Sequence, residues 1–399
     1  MSTATGIADD PQRKHQERRA IGVACGAHAL HDGYTDLIYV MLPIWQSEFG
    51  LGYAALGAMK SVFSGALSVF QIPSGFLAER YGTPLVLALG TALAGVGYIL
   101  AGFSHGFPLL VGALLVGGLG ASTQHPLASS LIAHAFSGKR SLKALGTYNF
   151  AGDIGKMVVP VAASLLFLIL PWREAVALLG GIGILAAVAI YILIPRFRDQ
   201  PAAPEKKNSV AGGARAVRRY DFSLLLSVGV IDSATRMAFL TFLPFVLTAK
   251  GAGIQTIGVA LTLVFAGGAV GKLVCAFIGA RIGAVATVWL TETITAVAIV
   301  AILPLSLQGA MVLLPIVGIA LNGTSSVLYG SVPELVAPEK RQRAFGIFYT
   351  GTIGAGAVSP FLYGLLGDAV GINTALLVVA AAVLLTLPIT LVLRPALRA

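Results

Sequence analysis

His28, His31, Asp32, Thr35, Asp36 and Tyr39 recur at steps of three and four residues inside an otherwise apolar stretch. On a helix those steps place most of the side chains on one face. Imidazoles and carboxylates grouped in this way can bind and release protons. They are also the ligand types of a metal centre, so His28, His31, Asp32 and Asp36 as cation ligands stand as an alternative. Asn149, Asp153, Lys156 and Pro160 repeat the pattern farther on, and Asp153 and Lys156 are spaced to pair on one helix. Asp232 and Arg236 lie four apart with the acid first, the favourable order for a helical ion pair. Gln124, His125, Asn322 and Tyr329 add neutral polar groups to apolar runs. Ammonium and guanidinium groups are the usual partners of phosphate-like anions, which gives Lys156 and Arg236 a possible use in binding. Blander roles are open to the same residues: His28 merely hydrogen-bonded, His125 capping a kink at Pro126, and Arg236 only balancing Asp232.

The elements that carry these groups are membrane spans. Of 399 residues 56% are hydrophobic and 11% charged, against roughly 25% charged in a soluble domain. Cutting at charged, Gly/Pro and Ser/Thr punctuation predicts twelve apolar segments, near 20–46, 54–79, 84–104, 107–135, 142–170, 174–195, 220–249, 254–280, 284–304, 308–333, 342–367 and 372–393. The fold class expected is therefore all-α, with twelve transmembrane helices. A carboxylate or ammonium at mid-membrane costs roughly 2.5–3.5 kcal/mol, so such groups persist mainly where they are paired, face water or exchange protons. Spans 3 and 12 hold no charged residue and span 6 only Glu174 at its first position, as expected of supports facing lipid, whereas spans 1 and 7 are charged on one side.

Basic residues outside the spans fall in alternate connections. Arg13, Lys14, Arg18 and Arg19 precede span 1, and Arg80, Lys139, Arg140, Lys143, the 196–219 segment, Arg281, Lys340, Arg341, Arg343, Arg394 and Arg398 follow at every second turn. The intervening connections hold only Arg173 and Lys250, which places both termini in the cytoplasm of a cell (inner or plasma) membrane protein. No removable signal peptide is expected, and Cys25 and Cys275 fall inside spans. No G-x-x-x-x-G-K-[ST] loop and no nucleophile-base set stands out, so no enzyme, no cofactor and no nucleic-acid partner are expected.

The chain also repeats itself. Asp32 matches Asp232, Pro43 matches Pro244, Arg80-Tyr81-Gly82 matches Arg281-Ile282-Gly283, and Pro160 matches Pro360. This gives a cytoplasmic tail at 1–19, a six-helix bundle at 20–195, a linker at 196–219, a second bundle at 220–394 and a tail at 395–399. Parallel duplication of this kind is a transporter signature, with substrate expected between pseudo-symmetric halves.

GFLAERYGTP, from Gly75 to Pro84, resembles the G-x-L-a-D-R-x-G-r motif of the major facilitator superfamily, with Glu79 at the acid position. GARIG, from Gly279 to Gly283, is a degenerate second copy. Within that superfamily the helix 1 sequence and GLGASTQHPLASSLIA resemble the fosmidomycin-resistance branch of drug exporters. The resemblance implies a monomeric proton-driven antiporter working by alternating access, lined by spans 1, 4, 7 and 10. It would export a small drug or metabolite, anions included. Proton coupling is assigned on this reading to Asp32, Asp36 and Asp153. Substrate contacts fall to His31, Tyr39, Gln124, His125, Asn149, Lys156, Asp232, Arg236, Asn322 and Tyr329, and gating to Gly75, Glu79, Arg80, Gly82 and Arg281. The rivals are a metal or organic-cation transporter using the helix 1 cluster, and a nontransporting sensor on the same fold. Glu292 in span 9 has no role in any of these readings.

Overall fold

A computed structural model of the chain describes residues 11–136, 139–196, 220–337 and 340–397. The expected linker at 196–219 lies almost wholly outside the described residues, as do residues 1–10 and 398–399 of the expected tails. Fifteen α-helices run through the described residues: α1 Pro11–Phe49, α2 Tyr53–Val69, α3 Gln71–Tyr81, α4 Thr83–Gly102, α5 Phe107–Ala121, α6 Gln124–Ala135, α7 Lys139–Leu166, α8 Trp172–Leu193, α9 Asp221–Ala249, α10 Ile254–Ile282, α11 Ala284–Ile302, α12 Leu307–Ser331, α13 Arg341–Val370, α14 Ile372–Val383 and α15 Thr386–Leu393.

Fifteen helices serve twelve spans because the second, fourth and twelfth spans are each broken in two. The breaks have one chemical cause. Proline has no N–H to give the carbonyl four residues back, and Pro73, Pro126 and Pro388 stand four residues after Val69, Ser122 and Leu384, where the helices part. At the second break the Ser122 hydroxyl turns back to the Leu119 carbonyl at 2.7 Å and Thr123 to the Gly120 carbonyl at 3.1 Å. The first break bends the span by 43°. Pro43, Pro160, Pro244, Pro315 and Pro360 remain inside continuous helices.

Among the described residues nine segments are long and apolar enough to cross a membrane, and ten if the bent pair α2 and α3 counts as one. The two helices that fall short are α1 and α7, and they do so because they carry His28, His31, Asp32, Asp36, Asp153 and Lys156. The apolar helices instead turn large side chains outward, Leu185, Phe277 and Val312 among them, as an integral membrane protein requires.

Two compact units are present: Met1–Asp36 with Val69–Val159 and Leu166–Lys206, and Leu37–Ser68 with Pro160–Leu165 and Lys207–Ala399. Within the first, Ala24, Leu127, Leu131, Ala144 and Tyr148 belong to one buried core. Within the second the corresponding core holds Leu225, Leu328, Val332, Ala344 and Phe348. These are the same positions of the internal repeat, 200 or 201 residues apart. Gly82 and Gly283 occupy equivalent turns with φ of 88° and 82°, a region open to glycine and strained for other residues.

Candidate functional site

The first unit gathers a charged cluster around Asp32 of α1. One carboxylate oxygen, Oδ1, lies 3.4 Å from His28 Nε2 and 3.8 Å from His31 Nε2. The other, Oδ2, lies 3.3 Å from the Lys156 ammonium of α7. The Asp32 side chain is only 9% exposed, whereas that of Lys156 is 30% exposed. Asp36 and Asp153 are also within electrostatic range of the ammonium.

Close backbone approach makes the pairing possible. Gly33, Gly152 and Gly155 lie where α1 and α7 meet, and a Cβ at Gly152 would sit 2.6 Å from Asp32 Oδ2 and 2.7 Å from His28 Cε1. A Cβ at Gly155 would run into the Ala29 carbonyl. Only with both positions bare does the long Lys156 side chain reach across to α1.

His28 is fixed by its far nitrogen. Nδ1 lies 2.8 Å from the Tyr148 carbonyl, and since a carbonyl only accepts, Nδ1 carries the proton and donates it. The imidazole stacks on the Tyr148 ring at 3.9 Å between centroids. Its Nε2 therefore faces Asp32 either as a bare lone pair or as the second N–H of an imidazolium. His125 of α6 completes the group, its ring centroid 5.3 Å from His28 and 4.8 Å from His31. Below them a tyrosine pair ties α1 to its neighbours: Tyr98 donates to the Tyr34 carbonyl and Tyr34 to that of Leu179.

One donor atom each from His28, Asp32 and His125 lies within 4.8 Å of the other two, a spacing that can hold a metal ion. This trio differs from the quartet proposed on spacing, with His125 in place of His31 and Asp36. The Lys156 ammonium already supplies a positive charge at Asp32, which a metal ion would have to oppose.

Other expected site residues lie elsewhere. Lys156 makes a close ion pair with Asp32 of α1, and Asp153 of its own helix lies within electrostatic range. Gln124 is buried beside His125, with Nε2 lacking a partner, while Asn149 is exposed. Tyr39 falls in the second unit, fully buried, with Lys60 Nζ 4.3 Å from its ring centroid and its hydroxyl 3.3 Å from Met237 Sδ. In that unit Asp232 is buried one turn from Arg236 and faces Glu292 of α11. Asn322 donates to the Gly318 carbonyl at 3.2 Å, and Tyr329 meets the Phe348 ring edge-on at 5.2 Å. Glu79, Arg80 and Arg281 are exposed, with the Arg80 guanidinium 5.3 Å from the Tyr81 ring; Gly75 within α3 and Gly82 at its end are half-buried. Sequence reasoning missed Tyr148, whose carbonyl and ring both hold His28; a backbone acceptor leaves no trace in residue type.

The model for the family described as the Major Facilitator Superfamily matches residues 24–231 and 224–399. The chain belongs to that superfamily. A bacterial homologue of the human lysosomal transporter Spinster, solved in an inward-facing and occupied conformation, superposes with a TM-score of 0.81 at 14% identity, covering 97% of this chain and 98% of that one. The fosmidomycin resistance protein of Escherichia coli (strain K12) is 26% identical over 355 residues, 87% of this chain and 86% of its own. A probable L-galactonate transporter of the same organism is 28% identical over 249 residues, which span 58% of this chain and 55% of the relative. Membership makes the chain an integral membrane transporter of small molecules, with the major facilitator fold, and not an enzyme.

Proposed function

We propose that the chain is a proton-coupled transporter of small organic anions, with the Asp32–Lys156 pair as its coupling element. The observation that carries this reading is the contact at 3.3 Å between a nearly buried carboxylate and a partly exposed ammonium. With Asp32 ionised, Lys156 is neutralised and holds no anion. A proton on Asp32 takes away the ammonium's close partner, and removing one partner of a buried ion pair costs about 3–5 kcal/mol. An incoming carboxylate or phosphonate restores the balance, and the imidazoles of His31 and His125 offer it further donors. Proton and anion thus favour each other's binding and travel together through an alternating-access cycle. The name of the L-galactonate transporter, whose substrate is a carboxylate, supports the anionic class.

Similarity to a fosmidomycin resistance protein supports a second reading, export in exchange for protons. A cationic or neutral drug competing with the proton at Asp32 would work that way. The His28, Asp32 and His125 donors likewise support a metal cargo. Liposomes holding the purified protein separate the three. Acidifying the outside is expected to drive small carboxylates or phosphonates inward through the wild type and not through Lys156→Met. Uptake of divalent metals alone, or proton influx driven by outward drug flow, would overturn the proposal in favour of the corresponding rival.

A further inference from the structure

Glu292 is a lone acid in α11, 1% exposed, with Oε1 lacking any hydrogen-bond partner. Its side chain faces two groups, the Asp232 carboxyl of α9 and the Thr324 hydroxyl of α12. What those groups can offer it follows from the hydroxyls around it. Thr291 Oγ1 lies 2.9 Å from the Thr287 carbonyl, which only accepts, so the single Thr291 hydroxyl proton is spent there. Thr324 Oγ1 lies 2.7 Å from Thr291 Oγ1 and must donate to it. Thr324 then has no proton left for Glu292, and an ionised Glu292 would have no donor there. Toward Asp232 a shared proton is required, because two ionised carboxylates have no hydrogen between them to share.

Charge counting agrees. The ionisable groups that face one another here are Asp232 and Arg236 of α9, Glu292 of α11 and Tyr329 of α12. With both acids ionised and Tyr329 neutral, the cluster would carry a net negative charge at membrane depth. One proton on the acid pair makes it neutral.

We propose that Asp232 and Glu292 hold one proton between them at neutral pH, making the second half of the chain a proton-binding site in its own right. The proton rests on Glu292, which donates it to Asp232, while the Asp232 carboxylate balances Arg236. This site stands independently of the role given to Asp32, and it assigns Asp232 to holding a proton rather than to touching substrate.

Infrared spectroscopy of the purified full-length protein at pH 7, in light and heavy water, tests it. Subtracting the Glu292→Gln spectrum from that of the wild type should show one lost carboxylic-acid C=O band, with the carboxylate bands unchanged. Asp232→Asn should give the same pattern, because Glu292 then surrenders its proton to pair with Arg236. Carbon-13 labelling of glutamate in the wild type should shift the band, which requires no variant to fold. Loss of a carboxylate band with the acid band intact, or an acid band insensitive to glutamate labelling, overturns the proposal.

Discussion

Replacing Lys156 by Met removes the ammonium that lies in ion-pair contact with Asp32. At 3.3 Å and an effective dielectric near 20, Coulomb's law gives about 5 kcal/mol of gross attraction. Desolvation of both groups offsets much of this, and a lysine side chain 30% exposed is partly screened by water, so a net coupling of about 2 kcal/mol is expected. Lys156→Met and Asp32→Asn should each destabilise the protein, the first more than the second, because it leaves a nearly buried carboxylate with only imidazoles beside it. The double variant should be more stable than the two single losses added together. Unfolding in mixed micelles of rising SDS fraction, followed by tryptophan fluorescence, measures the cycle. Single losses that add to within about 0.5 kcal/mol would show that the two side chains do not interact, and the coupling mechanism would fall with them.

Three further perturbations probe the supporting structure. Gly155→Ala places a methyl against the Ala29 carbonyl, so it should cost about 1–3 kcal/mol and weaken anion binding, whereas Gly146→Ala on the same helix, with nothing within 4 Å, should be neutral or slightly stabilising in the same unfolding assay. Asp368 accepts the N–H groups of Tyr53 at 2.6 Å and Ala54 at 2.9 Å, capping α2 from a distant helix; Asp368→Ala should speed hydrogen exchange at those two amides, and unchanged exchange would show that the cap contributes nothing. Lys60 sits over the Tyr39 ring at 4.3 Å and is fully buried, so Tyr39→Leu should cost about 1–2 kcal/mol more than Tyr39→Phe, which keeps the ring.

Much of this arrangement was legible in the chain. The polar faces of α1 and α7 follow from spacing alone, and the repeat foretold matching cores and the paired turns at Gly82 and Gly283. The partner of Lys156 was not legible. Spacing describes one helix at a time, and the pairing with Asp32 depends on how closely α1 and α7 approach, which bare positions at Gly33, Gly152 and Gly155 decide. Glu292 posed the same difficulty: a lone acid announces itself, but its partners come from two other helices. The three broken spans were hidden for another reason. Among the described residues proline stands inside intact helices more often than at these breaks, so residue type alone does not say which one parts.

The coupling of proton to anion is measured most directly by counting protons as the anion binds. A small carboxylate or phosphonate selected in the liposome screen is mixed with detergent-purified protein in weakly buffered solution containing a pH indicator. Wild type should take up about one proton for each anion bound, and Asp32→Asn, already neutral at that position, should bind the anion without taking up any. Proton release on binding, or equal uptake by the Asn variant, would contradict the account.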